Sequence, residues 1–145
     1  MKKFFVFLIT LLLVGCKCDM KIISSIKQKV IPGIQTAKPF TNYIFKVEIK
    51  SDLDITIDRV LVIENKQCFQ PKLLIKKEKS ASYIDKINSK GIYFFEVSLK
   101  DRNYSKVNNC DPNGSKDKVI VYYSVNNQQK KFEINSFVYK EIRKR

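Results

Sequence analysis

From Tyr43 onward, apolar and polar positions alternate with a period of two. Tyr43, Phe45, Val47 and Ile49 point one way, while Ile44, Lys46, Glu48 and Lys50 point the other, the signature of a half-buried strand. Ser51 to Asp54 reads as a turn into Ile55-Thr56-Ile57. There the apolar phase slips at Asp58-Arg59 and resumes in Val60, Leu61, Val62 and Ile63, which demands a bulge or a break. Leu73-Leu74-Ile75 predicts a short strand beyond Pro71, whose missing N–H suits an edge or a strand start. Tyr83 to Ile87 is a weak extended piece. Tyr93, Phe95, Val97 and Leu99 alternate in a segment whose first half is apolar on both faces, so it is expected at the centre of a sheet. Val119, Val121, Tyr123 and Val125 then lead through Asn126 to Gln129 into Phe132, Ile134 and Val138. This is a hairpin: an Asn126-Asn127 turn sets Val121 opposite Phe132, an Asn127-Gln128 turn sets Tyr123 opposite Phe132, and Asn suits the left-handed geometry of a type I′ turn.

These segments amount to about seven short strands with turn signals between them and no stretch of helical periodicity. The predicted fold is all-β, a single antiparallel β-sandwich of immunoglobulin-like or fibronectin-III-like type spanning 39–140. A closed eight-stranded barrel is the alternative. The longest loop is Asp101 to Lys118, turned by Pro112-Asn113-Gly114. Lys21 to Lys38, with isolated Ile and Val among Ser, Lys and Gln, is expected to belong to a tether over 16–38, and 141–145 to a frayed basic tail.

The beginning of the chain follows a different rule. Lys2 and Lys3 precede an almost unbroken apolar run from Phe4 to Leu13, closed by Leu13-Val14-Gly15-Cys16. That order is an export signal, and a run of about ten residues is too short to span an apolar layer that needs about twenty. The tetrapeptide resembles the lipobox of bacterial lipoproteins. The resemblance implies that residues 1–15 are a signal peptide and that Cys16 is lipidated and becomes the new N-terminus. Lys17 follows that cysteine, where some bacteria place Asp for inner-membrane retention, so the resemblance favours the outer membrane.

Composition fits a folded exported domain. Removing 15 residues leaves 130, enough for one core, with 44% hydrophobic and 12% aromatic residues over the whole chain and only four Gly and four Pro. Lys and Arg number 28 against 14 acids, and without the signal peptide the balance is 26 to 14, a formal +12. Such a surface suits an acidic partner, although the lysines are spread along the polar sides of the strands. Only Lys72/Lys76/Lys77/Lys79 and Lys140-Arg143-Lys144-Arg145 form patches. In an oxidising compartment Cys68 and Cys110 are the natural disulfide pair, leaving Cys18 over.

The chain contains no histidine, which removes the commonest general base, the usual catalytic triad and every His-ligated metal site. It has no phosphate loop or dinucleotide fingerprint. Asp52, Asp54 and Asp58 invite a calcium reading, but Ile55 and Ile57 interrupt them in strand register; Asp101, Asp111 and Asp117 merely flank the long loop. No metal or cofactor is expected. Tyr122, Phe137 and Tyr139 fall on the hairpin face opposite the core set, where they form either an exposed aromatic platform or a second packed face. The expected function is that of a membrane-anchored envelope lipoprotein, a non-catalytic module that binds another envelope protein or assists assembly. Its rivals are capture of an anionic glycan or lipid and, further off, a carboxylate-dependent hydrolase; nucleic acid is not expected. In architecture and anchor the chain resembles small bacterial lipoproteins with immunoglobulin-like domains.

Overall fold

In a computed structural model the described residues are 19–100, 104–107, 110 and 116–145, and they form strands and turns without a helix. Twelve strands are present: β1 (Met20–Ile31), β2 (Phe40–Ile49), β3 (Ile55–Glu64), β4 (Gln67–Pro71), β5 (Leu73–Lys77), β6 (Tyr83–Ile84), β7 (Lys86–Ile87), β8 (Gly91–Ser98), β9 (Tyr104–Lys106), β10 (Lys118–Val125), β11 (Gln128–Ile134) and β12 (Val138–Arg143). They build two sheets, ordered β12-β1-β2-β8-β5-β6 and β11-β10-β3-β4-β9, with β7 paired to β3. Both sheets have free edges, so the architecture is an open sandwich and not a closed barrel. In immunoglobulin lettering β1-β2-β8-β5 stand as A-B-E-D, and β11-β10-β3-β4 as G-F-C-C′.

The alternation seen in the sequence is the core. Tyr43, Phe45, Val47, Tyr93, Phe95 and Val97 are at most 1% exposed and face Val60, Val62, Val119 and Val121 of the other sheet. Central placement of β8 follows, because it pairs with β2 on one side and β5 on the other. The phase slip is a bulge: Tyr122 opposes Arg59 and Tyr123 opposes Ile57, leaving Asp58 extra. The β10–β11 hairpin takes the first of its two registers, Val121 opposite Phe132, and Asn126 and Asn127 sit at φ 51° and 62° as a type I′ turn requires. Asn65 and Lys66, at φ 51° and 60°, make the same kind of turn between β3 and β4.

Three expectations are corrected. The strand count is twelve, not seven: β4 and β9 are five and three residues long and carry too little periodicity to register, the extended piece at Tyr83 to Ile87 divides into β6 and β7, and β1 and β12 lie where a tether and a tail were expected. Residues 20–31 are not tether but β1, a twelve-residue strand antiparallel to β2, with a register shift between Ile22 and Ser24. Val138 to Arg143 neither continue the hairpin nor fray. They form β12, which crosses to the other sheet and pairs in parallel with Ile26 to Ile31. The Lys144 N–H extends that ladder to the Ile31 carbonyl at 2.9 Å. Gly33 permits the close approach of the chain just beyond β12, since a Cβ there would lie 2.5 Å from the Lys144 carbonyl oxygen.

Candidate functional site

Cys16 and Cys18 lie outside the described residues. Cys68 and Cys110 are joined by a disulfide, with Cα atoms 6.3 Å apart. The bond ties Cys110 onto the outer face of the second sheet, where Leu61, Ile63, Cys68 and Ile120 form a small core under Val107 and Tyr122. Hence Val60 to Ile63 is apolar without alternation: even positions face the sandwich, and odd positions face the strap formed by Val107 and the disulfide-bonded Cys110.

The aromatic trio does not form a platform. Phe137 turns inward, edge-on to Tyr43 at 5.2 Å between centroids and 6.3 Å from Phe45, plugging the side where the chain passes between sheets. Tyr122 lies on the second sheet beneath the Arg59 guanidinium, 4.4 Å from its ring centre. Tyr139 stands on β12 of the first sheet, 57% exposed. Sequence parity placed the three together because it assumed that β11 runs on into β12.

The carboxylates are engaged one by one. Asp52 accepts the Lys90 N–H at 2.8 Å, Asp54 lies 3.7 Å from Lys86, and Asp58 accepts the Ser124 hydroxyl at 2.7 Å. Asp101 and Asp111 fall outside the described residues, among which no group of three or more Cys, Asp or Glu converges. Asp117 instead joins a polar clasp between the sheets. Lys27 on β1 reaches Asp117 at 2.6 Å and Glu64 at 3.2 Å; Glu64 also accepts the Thr41 hydroxyl, and Asp117 the Asn65 N–H. Burial works against the Lys27 charge, but the hydrogen bond to Asp117 and the Glu64 carboxylate outweigh it and raise its pKa. Burial, together with the same two carboxylates, also raises that of Tyr43. One cation holds two carboxylates, whose remaining negative charge is met by the Thr41 hydroxyl and the Asn65 N–H, and the clasp reads as a structural lock.

Two surfaces carry the basic patches noted in the sequence, although Arg143 on the first is paired with Glu141 at 3.1 Å. The first is the free side of β12. All six of its residues are exposed, Val138 by 61% and Ile142 by 40%, beside the cationic Lys140, Arg143, Lys144 and Arg145. Because the Lys144 N–H points at β1 and amide direction alternates along a strand, the main-chain groups of Tyr139, Glu141 and Arg143 point away from the sheet.

The second surface is a groove of about 530 Å³ on the outer face of the first sheet, at its other edge. Its floor is Ile44, Leu74 and Phe94, and its rim carries Lys76, Lys79 and Tyr83. Strand register sets Lys46, Phe94, Lys76 and Tyr83 in one row across β2, β8, β5 and β6. The lysine run was visible in the sequence; Phe94 was not singled out as its floor because only the pairing of β8 with β5 brings them together.

Comparisons with protein families, with curated proteins and with solved structures found no match to this chain. What the geometry defines is therefore a class: an open immunoglobulin-like sandwich with a disulfide-held strap, one free cationic edge strand and one cationic groove.

Proposed function

We propose that the chain is a membrane-anchored, non-catalytic protein-binding module of a bacterial cell envelope, and that β12 receives an extended, acidic segment of a partner as an added strand. The observation that carries this is the side of β12 left unpaired among the described residues, with three residues aiming N–H and C=O groups outward and Val138, Tyr139 and Ile142 exposed around them. Main-chain pairing supplies affinity in such complexes, and alternate side chains supply specificity. Four cations against the single acid Glu141 on or beside this edge favour an acidic partner, and they protect it from pairing with a second copy of itself.

The lipobox resemblance implies an anchor at Cys16, and Lys17 after it favours an outer-membrane site for the module. Only three residues separate Cys16 from Met20, the start of β1, so a lipid on Cys16 holds the sandwich within about 15 Å of the membrane surface. Such a module works close to the bilayer rather than at the end of a long stalk.

The test replaces Tyr139 with a photo-crosslinking amino acid and compares envelope partners captured with and without Glu141→Pro. Proline removes an outward N–H but no bond to β1, so the fold is retained while the added strand loses a donor. Capture lost in the proline variant, and palmitate-analogue labelling lost in Cys16→Ser, are expected. Capture indifferent to Glu141→Pro would refute strand addition.

A further inference from the structure

We propose that the groove formed by β5, β6 and β8 binds an acidic oligosaccharide. This rests on side chains at the edge of the sheet opposite to β12 and stands apart from the reading above.

Three features specify the occupant. The first is charge. Lys72, Lys76 and Lys79 border the groove and its continuation past Leu74, and among the described residues no ion pair joins any of them to a carboxylate. Lys46 is different, being paired with Glu78 at 3.3 Å. Glu96, between Ile44 and Leu74 in the register, is the single acid in the floor. With Lys77, which also lines the groove and donates to the Ser89 hydroxyl, four lysines face Glu96, so the groove is cationic by three charges and calls for an anion, while Glu96 opposes a dense polyanion and offers an acceptor to hydroxyl groups.

The second feature is shape with polarity. Phe94 lines the floor, and Tyr83, 58% exposed, flanks it on the far side of Lys76. The row from Lys46 to Tyr83 crosses four strands, about 14 Å at the usual strand spacing. Aromatic groups alternating with ammonium groups over that span match a chain of sugar rings. The C–H faces of the rings meet the exposed ring of Tyr83 and extend onto Phe94, over which the Lys46 ammonium lies at 5.7 Å, and their ring-borne carboxylates meet the lysines. The volume lies within the range of about 300–1,000 Å³ seen for small-ligand sites.

The third feature separates a sugar from an acidic peptide. β8 pairs on both sides from Tyr93 to Val97 and β5 does so at Ile75 and Lys76, so the main-chain groups beneath the row are already bonded within the sheet. A peptide laid on this face finds no backbone partner, whereas a sugar needs none. Peptide recognition belongs to the free edge at β12.

Calorimetric titration of the full-length chain in nonionic detergent, using three probes of equal length, tests the assignment. The probes are hexagalacturonate, its methyl ester and hexaglutamate. Hexagalacturonate is expected to bind, with the ester and the peptide each weaker by about tenfold or more, since loss of a charge-assisted contact has that effect. Lys76→Gln and Tyr83→Ala are each expected to weaken hexagalacturonate by about tenfold at unchanged unfolding midpoint, both side chains lying on the outer face. Glu141→Pro, at the opposite edge, should leave the affinity as it was. Equal binding of hexaglutamate would overturn the assignment in favour of an acidic peptide. Absence of hexagalacturonate binding, or binding indifferent to both groove variants, would overturn it outright.

Discussion

Reducing the Cys68–Cys110 bond removes a cross-link between residues 42 apart in the chain. In the chain-entropy treatment a closed loop of that size restricts the unfolded ensemble by about 13 cal/mol/K, or about 4 kcal/mol at 25 °C. Comparing oxidised with reduced wild-type protein isolates this effect, because both sulfurs stay in place against Leu61, Ile63 and Ile120. For a domain of this size the loss corresponds to a fall in melting temperature of about 12–20 °C. Urea unfolding followed by circular dichroism should show the midpoint falling while the slope m rises, since the uncrosslinked chain exposes more surface when unfolded. Local consequences follow as well. β9 pairs with β4 through only three residues, supported by the edge contact of Phe69 with Tyr104 at 5.1 Å, so amide protection should vanish there before anywhere in β2 or β8. A stability difference below about 1 kcal/mol with unchanged m would refute the argument, because the entropy term has no other outlet.

Two further outcomes are expected. Tyr43→Phe should leave the domain unchanged or stabilise it by about 1 kcal/mol at neutral pH, because the hydroxyl is buried beside Glu64 but makes no hydrogen bond of good geometry among the described residues; a loss exceeding about 1 kcal/mol would show that Glu64 bonds it after all. Tyr43 and Lys27 both have folded pKa values above their ordinary 10.0 and 10.5, so above those values the unfolded chain loses protons that the folded chain keeps. Stability should therefore hold up to about pH 10 and fall above it, and Tyr43→Phe should blunt the fall; an alkaline limb identical in the variant would remove Tyr43 from the account. Asn126→Val, at φ 51°, should cost about 1–2 kcal/mol by urea unfolding, and a neutral result would contradict the type I′ turn.

Legibility in the sequence tracked one-sided burial. β2, β8 and β10 each bury one face completely, so their alternation survived intact, as did the bulge at Asp58, where register change alone reverses the pattern. β1 was invisible because only Met20 and Val30 of its twelve residues are fully buried; a strand at the margin of the core has no reason to alternate. The strap behind Val60 to Ile63 was hidden for the opposite reason, since burial on both faces erases the period. Parity misled at Phe137. Ile134 and Val138 share a phase in the sequence, but Asn135 to Phe137 carries the chain between sheets, and a change of sheet leaves no mark on a period of two.

The same fact bears on how β12 meets a partner. With all six residues exposed, the strand gains almost nothing from burial and is held to β1 by parallel ladder bonds. Elements held this way open at low free energy, so a competing strand has two routes: to add outside β12, or to displace it and pair with β1 directly. The two routes protect different amides. Addition shields Tyr139, Glu141 and Arg143, which point outward, whereas displacement frees Val138, Lys140 and Ile142 to exchange. Displacement would also pull on Phe137, whose ring is wedged against Tyr43 and Phe45 one residue before β12, and would open the core at that side. That linkage makes addition the cheaper route, and hydrogen exchange on the partner-bound chain should show new protection at the three outward amides with no loss at the inward ones. Faster exchange at Val138, Lys140 and Ile142 on binding would refute addition and identify β12 as a strand that yields its place.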